Sequence, residues 1–268
     1  MSPESSHSFP EAEWTMDRKE IFHSLEELRK GLLFIIIVFV IFGIAIFPFS
    51  KALLRHLYET NLKVDLVAEP NSKVPLVAFA IPEAFLSLLK LTLYASLFLS
   101  VPIIFYRVWK AFAPLFRLKE LRSSLFVFLG SVALFYIGAF FCYFVTLPFG
   151  AKFLLGYQSA HLEPMISVGK YISFCVFFIF GFGLTFELPL ILALLSTLRL
   201  VNASFLTRNR RYAILLIAVV AAVVTPTPDP FNMGLMGVPL YLLFEVGVVL
   251  VKIIERKRAA VAMPPSSS

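Results

Sequence analysis

Charge is scarce in this chain. Only 15% of its 268 residues are charged and 59% are hydrophobic, whereas soluble domains carry about a quarter charged residues. That balance excludes a water-soluble fold. Cysteine and histidine are scarcer still, at two and four. Cys142 and Cys175 both fall inside apolar runs, where a thiol behaves as a small buried hydrophobe, so no disulfide is implied. The few His and Cys show no metal-ligand spacing, no Gly-rich phosphate loop is present, and no Ser/His/Asp set lies within the apolar runs. Neither a metal nor a cofactor is expected, and an enzyme reading has nothing to rest on. No internal repeat is visible. A removable leader is not expected either: residues 1–10 are polar, and the first apolar run, beginning near Gly31, lacks a small-residue cleavage site.

Long apolar runs are what the sequence has in abundance. They cover residues 31–49, 84–106, 124–148, 170–198, 212–225 and 231–251, separated by segments that hold most of the Pro and charge. The expected fold class is an all-α integral membrane protein with six transmembrane helices, and an even number of crossings puts both termini on one side. Residues 1–16 read as a polar tail, 17–251 as one membrane domain and 252–268 as a second tail. The run 212–225 yields only about 21 Å of helix against a hydrocarbon core of about 30 Å, and Pro239 interrupts the next run. Local thinning of the bilayer, shielding by protein, or span ends lying a few residues further out would each account for this.

The net charge of +7 would suit nucleic acid, but the basic residues sit between apolar runs, so nucleic-acid binding is not expected. Segments 1–30, 107–123, 199–211 and 252–268 hold four, five, four and four Lys or Arg, 17 in all; segments 50–83, 149–169 and 226–230 hold four, one and none. By the positive-inside rule the first set is cytoplasmic, giving a multi-pass protein of the cytoplasmic (inner) membrane with both termini inside.

Before the first run, residues 17–30 have helical periodicity, with Ile21, Leu25 and Leu28 on one stripe and Glu20, His23 and Glu27 opposite, as in an amphipathic interfacial helix on the cytoplasmic face. Residues 51–82, punctuated by Pro70, Pro75 and Pro82, read as a structured external cap. Ionisable residues within the runs are few: Glu187, Glu245 and Lys90. A mid-membrane carboxylate is normally protonated, paired, or turned toward protein or water, so each acid is open to two readings, an interhelical hydrogen bond or a functional group. Lys90 reads as a snorkelling side chain near the external end. Pro189 removes a backbone donor two residues after Glu187 and is expected to bend or loosen that helix. Among the cytoplasmic acids, Glu26 has Arg29 and Lys30 within helical reach, Glu27 is freer, and Glu120 stands among Arg117, Lys119 and Arg122 as either a solvated ion pair or a binding group.

The order of short motifs resembles one family, TatC. His23-Ser24-Leu25-Glu26-Glu27-Leu28-Arg29 is similar to its amino-terminal signature. Pro82-Glu83-Ala84-Phe85 with Lys90, then Pro102, Tyr106, Trp109, Phe112, Pro114 and Glu120, are similar to its second span and first cytoplasmic loop. Phe135-Tyr136-Ile137-Gly138 with Phe144 and Pro148 resembles the third span, Phe186-Glu187-Leu188-Pro189 the fourth, and Arg210-Arg211-Tyr212 the second cytoplasmic loop. The stretch 225–229, ending in Asp229, with Pro239 and Phe244-Glu245, resembles the last two spans. Leu121, the missing Gly beside Pro114, and one extra residue before Asp229 depart from the pattern.

The resemblance implies a core receptor of a translocase that moves folded proteins with the proton-motive force. Glu27 and Glu120, with Arg29, would recognise twin-arginine signal peptides. Glu187 and Pro189, with Glu245, would form an intramembrane polar face for single-span partners of the TatA and TatB type, with self-association in the complex. An arginine fork suits partly desolvated carboxylates because paired charge-assisted bonds separate Arg from Lys by geometry. Two rivals remain at this level: a secondary transporter with Glu187 as a proton or ion relay, and a membrane scaffold in which Glu27 and Glu120 are merely solvated. The charge asymmetry gives a first prediction. Cysteines introduced at Asn71 and Gln158 will be labelled by a membrane-impermeant reagent from outside, and ones at Ser123 and Asn202 will not; the reverse pattern overturns the orientation.

Overall fold

The computed structural model describes residues 18–61, 76–112, 121–156, 165–224 and 230–262. Five stretches are long and apolar enough to cross a membrane: Gly31–Asn61, Ile81–Lys110, Val127–Phe153, Val168–Thr197 and Met233–Arg258. The fifth run of the sequence forms α9 (Arg210–Val224), whose 15 described residues span about 22 Å; residues 225–229, which follow it, lie outside the described residues. The protein is thus a helical membrane protein, with five spanning-length stretches and the shorter α9 among the described residues.

α1 (Arg18–Ile46) is continuous, so the amphipathic segment and the first apolar run form one helix instead of a separate interfacial element. No Pro stands between the two, and nothing interrupts the backbone ladder. After a 3₁₀ turn at Phe47–Phe49, α2 (Ser50–Asn61) forms part of the expected external cap; 62–75 lie outside the described residues. A short parallel pair, β1 (Leu76–Val77) with β2 (Ile166–Ser167), joins the segments before α3 (Ile81–Phe112) and α6 (Val168–Phe186). This small sheet is an addition to the all-helical expectation. α2 is tied to α6 by the Tyr171 hydroxyl, which donates to the Leu57 carbonyl at 3.0 Å.

The third run is α4 (Leu121–Phe141), a π-helical turn over Cys142–Thr146, and α5 (Leu147–Gly156). The expected span end at Pro148 is therefore too early. In the π turn the Leu147 amide reaches back to the Cys142 carbonyl, a widening that admits the Pro148 ring without ending the helix. α4 and α6 cross closely because glycines face bulky rings in both directions. A Cβ on Gly138 would stand 2.6 Å from the Phe186 ring and 2.8 Å from the Phe182 carbonyl, and one on Gly183 would stand 2.6 Å from the Phe135 ring. Small residues at such crossings let backbones approach and gain dispersion where lipid supplies no hydrophobic drive. Phe135, Phe178 and Phe182 are the large buried side chains of this seam.

The fourth run divides into α6 and α7 (Leu188–Thr197), and α8 (Ala203–Arg208) leads into α9. α10 (Pro230–Ala262) continues past 251, where the sequence reading ended the membrane domain. Its charged extension packs instead of trailing. Arg258 donates to the Ser196 and Thr197 carbonyls at 2.9 and 2.7 Å, and Glu255 accepts from the Ala203 amide at 2.9 Å. A cation thus satisfies the last carbonyls of α7 and an anion the first amide of α8, each matched to the sign of its helix end.

α3 shows how a proline is tolerated in hydrocarbon. Pro102 has no N–H, so the Phe98 carbonyl loses its helical donor; the Tyr136 hydroxyl of α4 donates to it at 3.0 Å. Removing that hydroxyl leaves a carbonyl unpaired where water is absent. Tyr136→Phe is predicted to destabilise the fold by about 1 kcal/mol in reversible mixed-micelle unfolding. In a Pro102→Ala background, where the backbone bond is restored, the same substitution will cost less than half as much. Equal costs in the two backgrounds would show that the pair is not coupled.

Candidate functional site

The break between α6 and α7 falls on Glu187. Its amide bonds the Leu184 carbonyl at 3.2 Å, Pro189 supplies no donor, and the ladder resumes with Ile191 donating to the Glu187 carbonyl at 2.9 Å. The loosening expected from Pro189 is present, and it sets the acid at the joint. Glu187 is 7% exposed. One carboxyl oxygen accepts from the Ser131 hydroxyl of α4 at 2.7 Å, and the other, Oε1, is buried with no partner. α10 closes over the far side of α7, with Gly247 seated against Pro189 and Leu192.

Glu245 is held differently. The Arg210 guanidinium, at the first residue of α9, lies 2.9 Å from one carboxylate oxygen, and the Tyr241 hydroxyl donates to the other at 3.0 Å. Both partners of the ion pair are partly exposed, Arg210 at 46% and Glu245 at 29%. The two acids therefore belong to separate groups: Glu187 has a neutral partner and one free oxygen, Glu245 a cation and a phenol. Ser131 and Tyr241 were not singled out by the sequence reading, and Arg210 was read only as part of a loop motif. The available signal for Ser131 was a serine well inside an apolar run.

Of the other residues singled out, Pro102 lies inside α3 and Trp109 is half-buried near its end. Arg107, between them, stacks over the Phe34 ring of α1 at 4.7 Å. Glu27 and Arg29 belong to the backbone of α1, within four residues of Gly31, which itself lies near Arg107; their side chains lie outside the described residues. Glu120, Pro114 and Asp229 also lie outside them. The topology nonetheless gathers the start of α1, the end of α3, the start of α4, the α7–α8 connection, the start of α9 and the end of α10 at one end of the bundle. These are the segments rich in Lys and Arg.

A bundle of apolar helices broken at a buried acid, with charge gathered at one end, defines a polytopic membrane protein built around an intramembrane polar joint. Comparisons with known proteins give its family. The profile of the family described as Sec-independent protein translocase protein (TatC) matches residues 23–239. The TatC protein of Carboxydothermus hydrogenoformans is 33% identical over 237 residues, 88% of this chain and 94% of that protein. That of Escherichia coli is 32% identical over 232 residues, 87% and 88% of the two chains. A crystal structure of the twin arginine translocase receptor TatC superposes with a TM-score of 0.72 at 33% identity, covering 85% of this chain and 98% of that one. The chain belongs to the TatC family and is a membrane-embedded protein translocase component.

The geometry at Glu187 yields a prediction. An amide can keep the Ser131 contact and offer a polar group at the free position, whereas leucine can do neither. Glu187→Gln will retain most export activity and Glu187→Leu will lose at least about ten-fold, the size expected for a lost hydrogen bond to a buried acid. Equal loss in both would favour a proton relay.

Proposed function

We propose that this chain is the signal-peptide receptor and core of a twin-arginine translocase in a cytoplasmic membrane, with six crossings and both termini on the cytoplasmic side. Glu27 and Glu120, positioned with Arg29, accept the paired arginines of a signal peptide; Pro114 and Trp109 shape the surface beside them. Glu187, Pro189 and Glu245 form the face on which TatA/TatB-type single-span subunits and further copies of the chain dock. Transport of folded cargo is driven by the proton-motive force and uses no nucleotide. The observation that carries this reading is family membership over residues 23–239 combined with the gathering of α1, α3 and α4 at one end, where the motif segments enter and leave the bundle.

The buried oxygen of Glu187 supports the docking role, because a partner helix bearing one hydroxyl or amide would satisfy it at the loosened joint. Glu245 is less available for that purpose, being already paired with Arg210.

The receptor reading is tested by peptide binding. Glu27→Gln or Glu120→Gln will weaken binding of a twin-arginine peptide roughly ten-fold, since a hydrogen bond to a charged group is worth about 1.5–3 kcal/mol. The double substitution will abolish recognition. A Lys-Lys peptide will bind wild-type protein more weakly than the Arg-Arg peptide but better than one lacking both cations, because the charge remains while the fork is lost. Unchanged affinity and unchanged Arg/Lys preference in both single variants would make these carboxylates ordinary surface charges.

A further inference from the structure

At the end of the bundle opposite the receptor motifs, the outer turns of α3 and α6 line an open recess of about 500 Å³, with Glu83, Ser87, Lys90, Ser167, Lys170 and Ser173 among its residues. Its charges are unevenly matched. The one acid, Glu83, is occupied by the Ser167 hydroxyl and by the Phe79 and Ala80 amides, the former amide at 2.6 Å. Lys90 donates to the neutral Ser173 hydroxyl at 2.7 Å, and among the described residues no carboxylate pairs with Lys90 or Lys170. Two ammonium groups thus share one recess with a single carboxylate that is already held by neutral donors, which leaves an excess of positive charge at the first turns of α6, whose dipole adds to the positive potential.

Depth identifies the class of anion. The stretch Ile81–Lys110 has 30 residues, about 45 Å of helix, which matches a bilayer measured with its headgroups. Lys90 is nine residues from Ile81, about 14 Å along the axis, and a lysine at that depth directs its ammonium outward to the headgroup boundary. The rim is apolar and exposed, with Ile81 99%, Phe85 57% and Leu86 55% exposed. A ligand for this recess must bring an anion at the interface and acyl chains beside these side chains. We propose that the recess is a binding site for a glycerophospholipid, which places its phosphodiester against the Lys90 and Lys170 ammonium groups and lays its chains along the outer face of α3, with net-anionic headgroups preferred. The site would anchor the ends of α3 and α6 in the leaflet on the α2 side. Simple snorkelling, expected for Lys90 from sequence, is thereby replaced by a specific seat.

The test uses the full chain, purified in a non-ionic detergent and titrated with phosphatidylglycerol or phosphatidylcholine, bound lipid being counted by native mass spectrometry. The expected result is one tightly retained phosphatidylglycerol in wild-type protein, bound more strongly than phosphatidylcholine. Lys90→Gln with Lys170→Gln should bind it roughly ten-fold more weakly, while Lys90→Arg retains it and shows that the fold is intact. Undiminished retention in the double variant overturns the proposal. Equal competition by inorganic phosphate would mark a free-anion site, and loss of an acidic single-span subunit with lipid retained would mark a protein-docking site; either result also overturns it.

Discussion

A backbone carbonyl or amide in hydrocarbon has no water to turn to, and leaving it unpaired costs several kcal/mol. The chain nonetheless places Pro102, Pro148 and Pro189 inside three of its long apolar stretches, so the bundle must resolve each broken ladder from within. It does so in three ways. The Phe98 carbonyl freed by Pro102 takes the Tyr136 hydroxyl from the neighbouring helix. Ahead of Pro148 the helix widens into a π turn. At Pro189 it divides into α6 and α7 and leaves a joint. Only at the third does the break coincide with an acid, and that coincidence makes Glu187 a candidate site instead of one more structural repair.

The same constraint explains why the seam between α4 and α6 is so close. Ser131 reaches Glu187 across it, and it does so because Gly138 and Gly183 let the two backbones approach, with the Phe141 ring of α4's end packed against Phe182 and Phe186 of α6. Enlarging either glycine would push the helices apart and separate the acid from its donor. Packing and polar satisfaction are here one arrangement, in which the small residues position the polar pair.

Polarity along the bundle axis follows from how charge is distributed among the connections. One end carries the basic segments together with the packed extension of α10, where Arg258 and Glu255 fasten the α7–α8 connection. The opposite end has α2, the small parallel sheet and the Lys90 recess. A receptor surface at the first end and a lipid-anchored second end would allow the intramembrane joint at Glu187 to respond to partners without the whole bundle shifting.

Apolar runs of spanning length, the clustering of Lys and Arg between alternate runs, and the ordered motifs were legible in the sequence by itself, because hydrophobicity and charge are properties of residues and not of their neighbours. They determined the membrane class and the family, and they drew attention to Glu187 and Pro189, which the structure sets together at the break between α6 and α7. Contacts were not legible. That Tyr136 serves Pro102, that Ser131 serves Glu187, that Arg210 takes Glu245, that Lys90 meets Ser173, and that residues 252–258 pack instead of trailing all depend on which helix faces lie together. A run that is apolar on every side gives no periodic signal of its packed face, so only the tertiary structure decided these pairings, through the need to close every buried polar group among neighbours brought near by the fold.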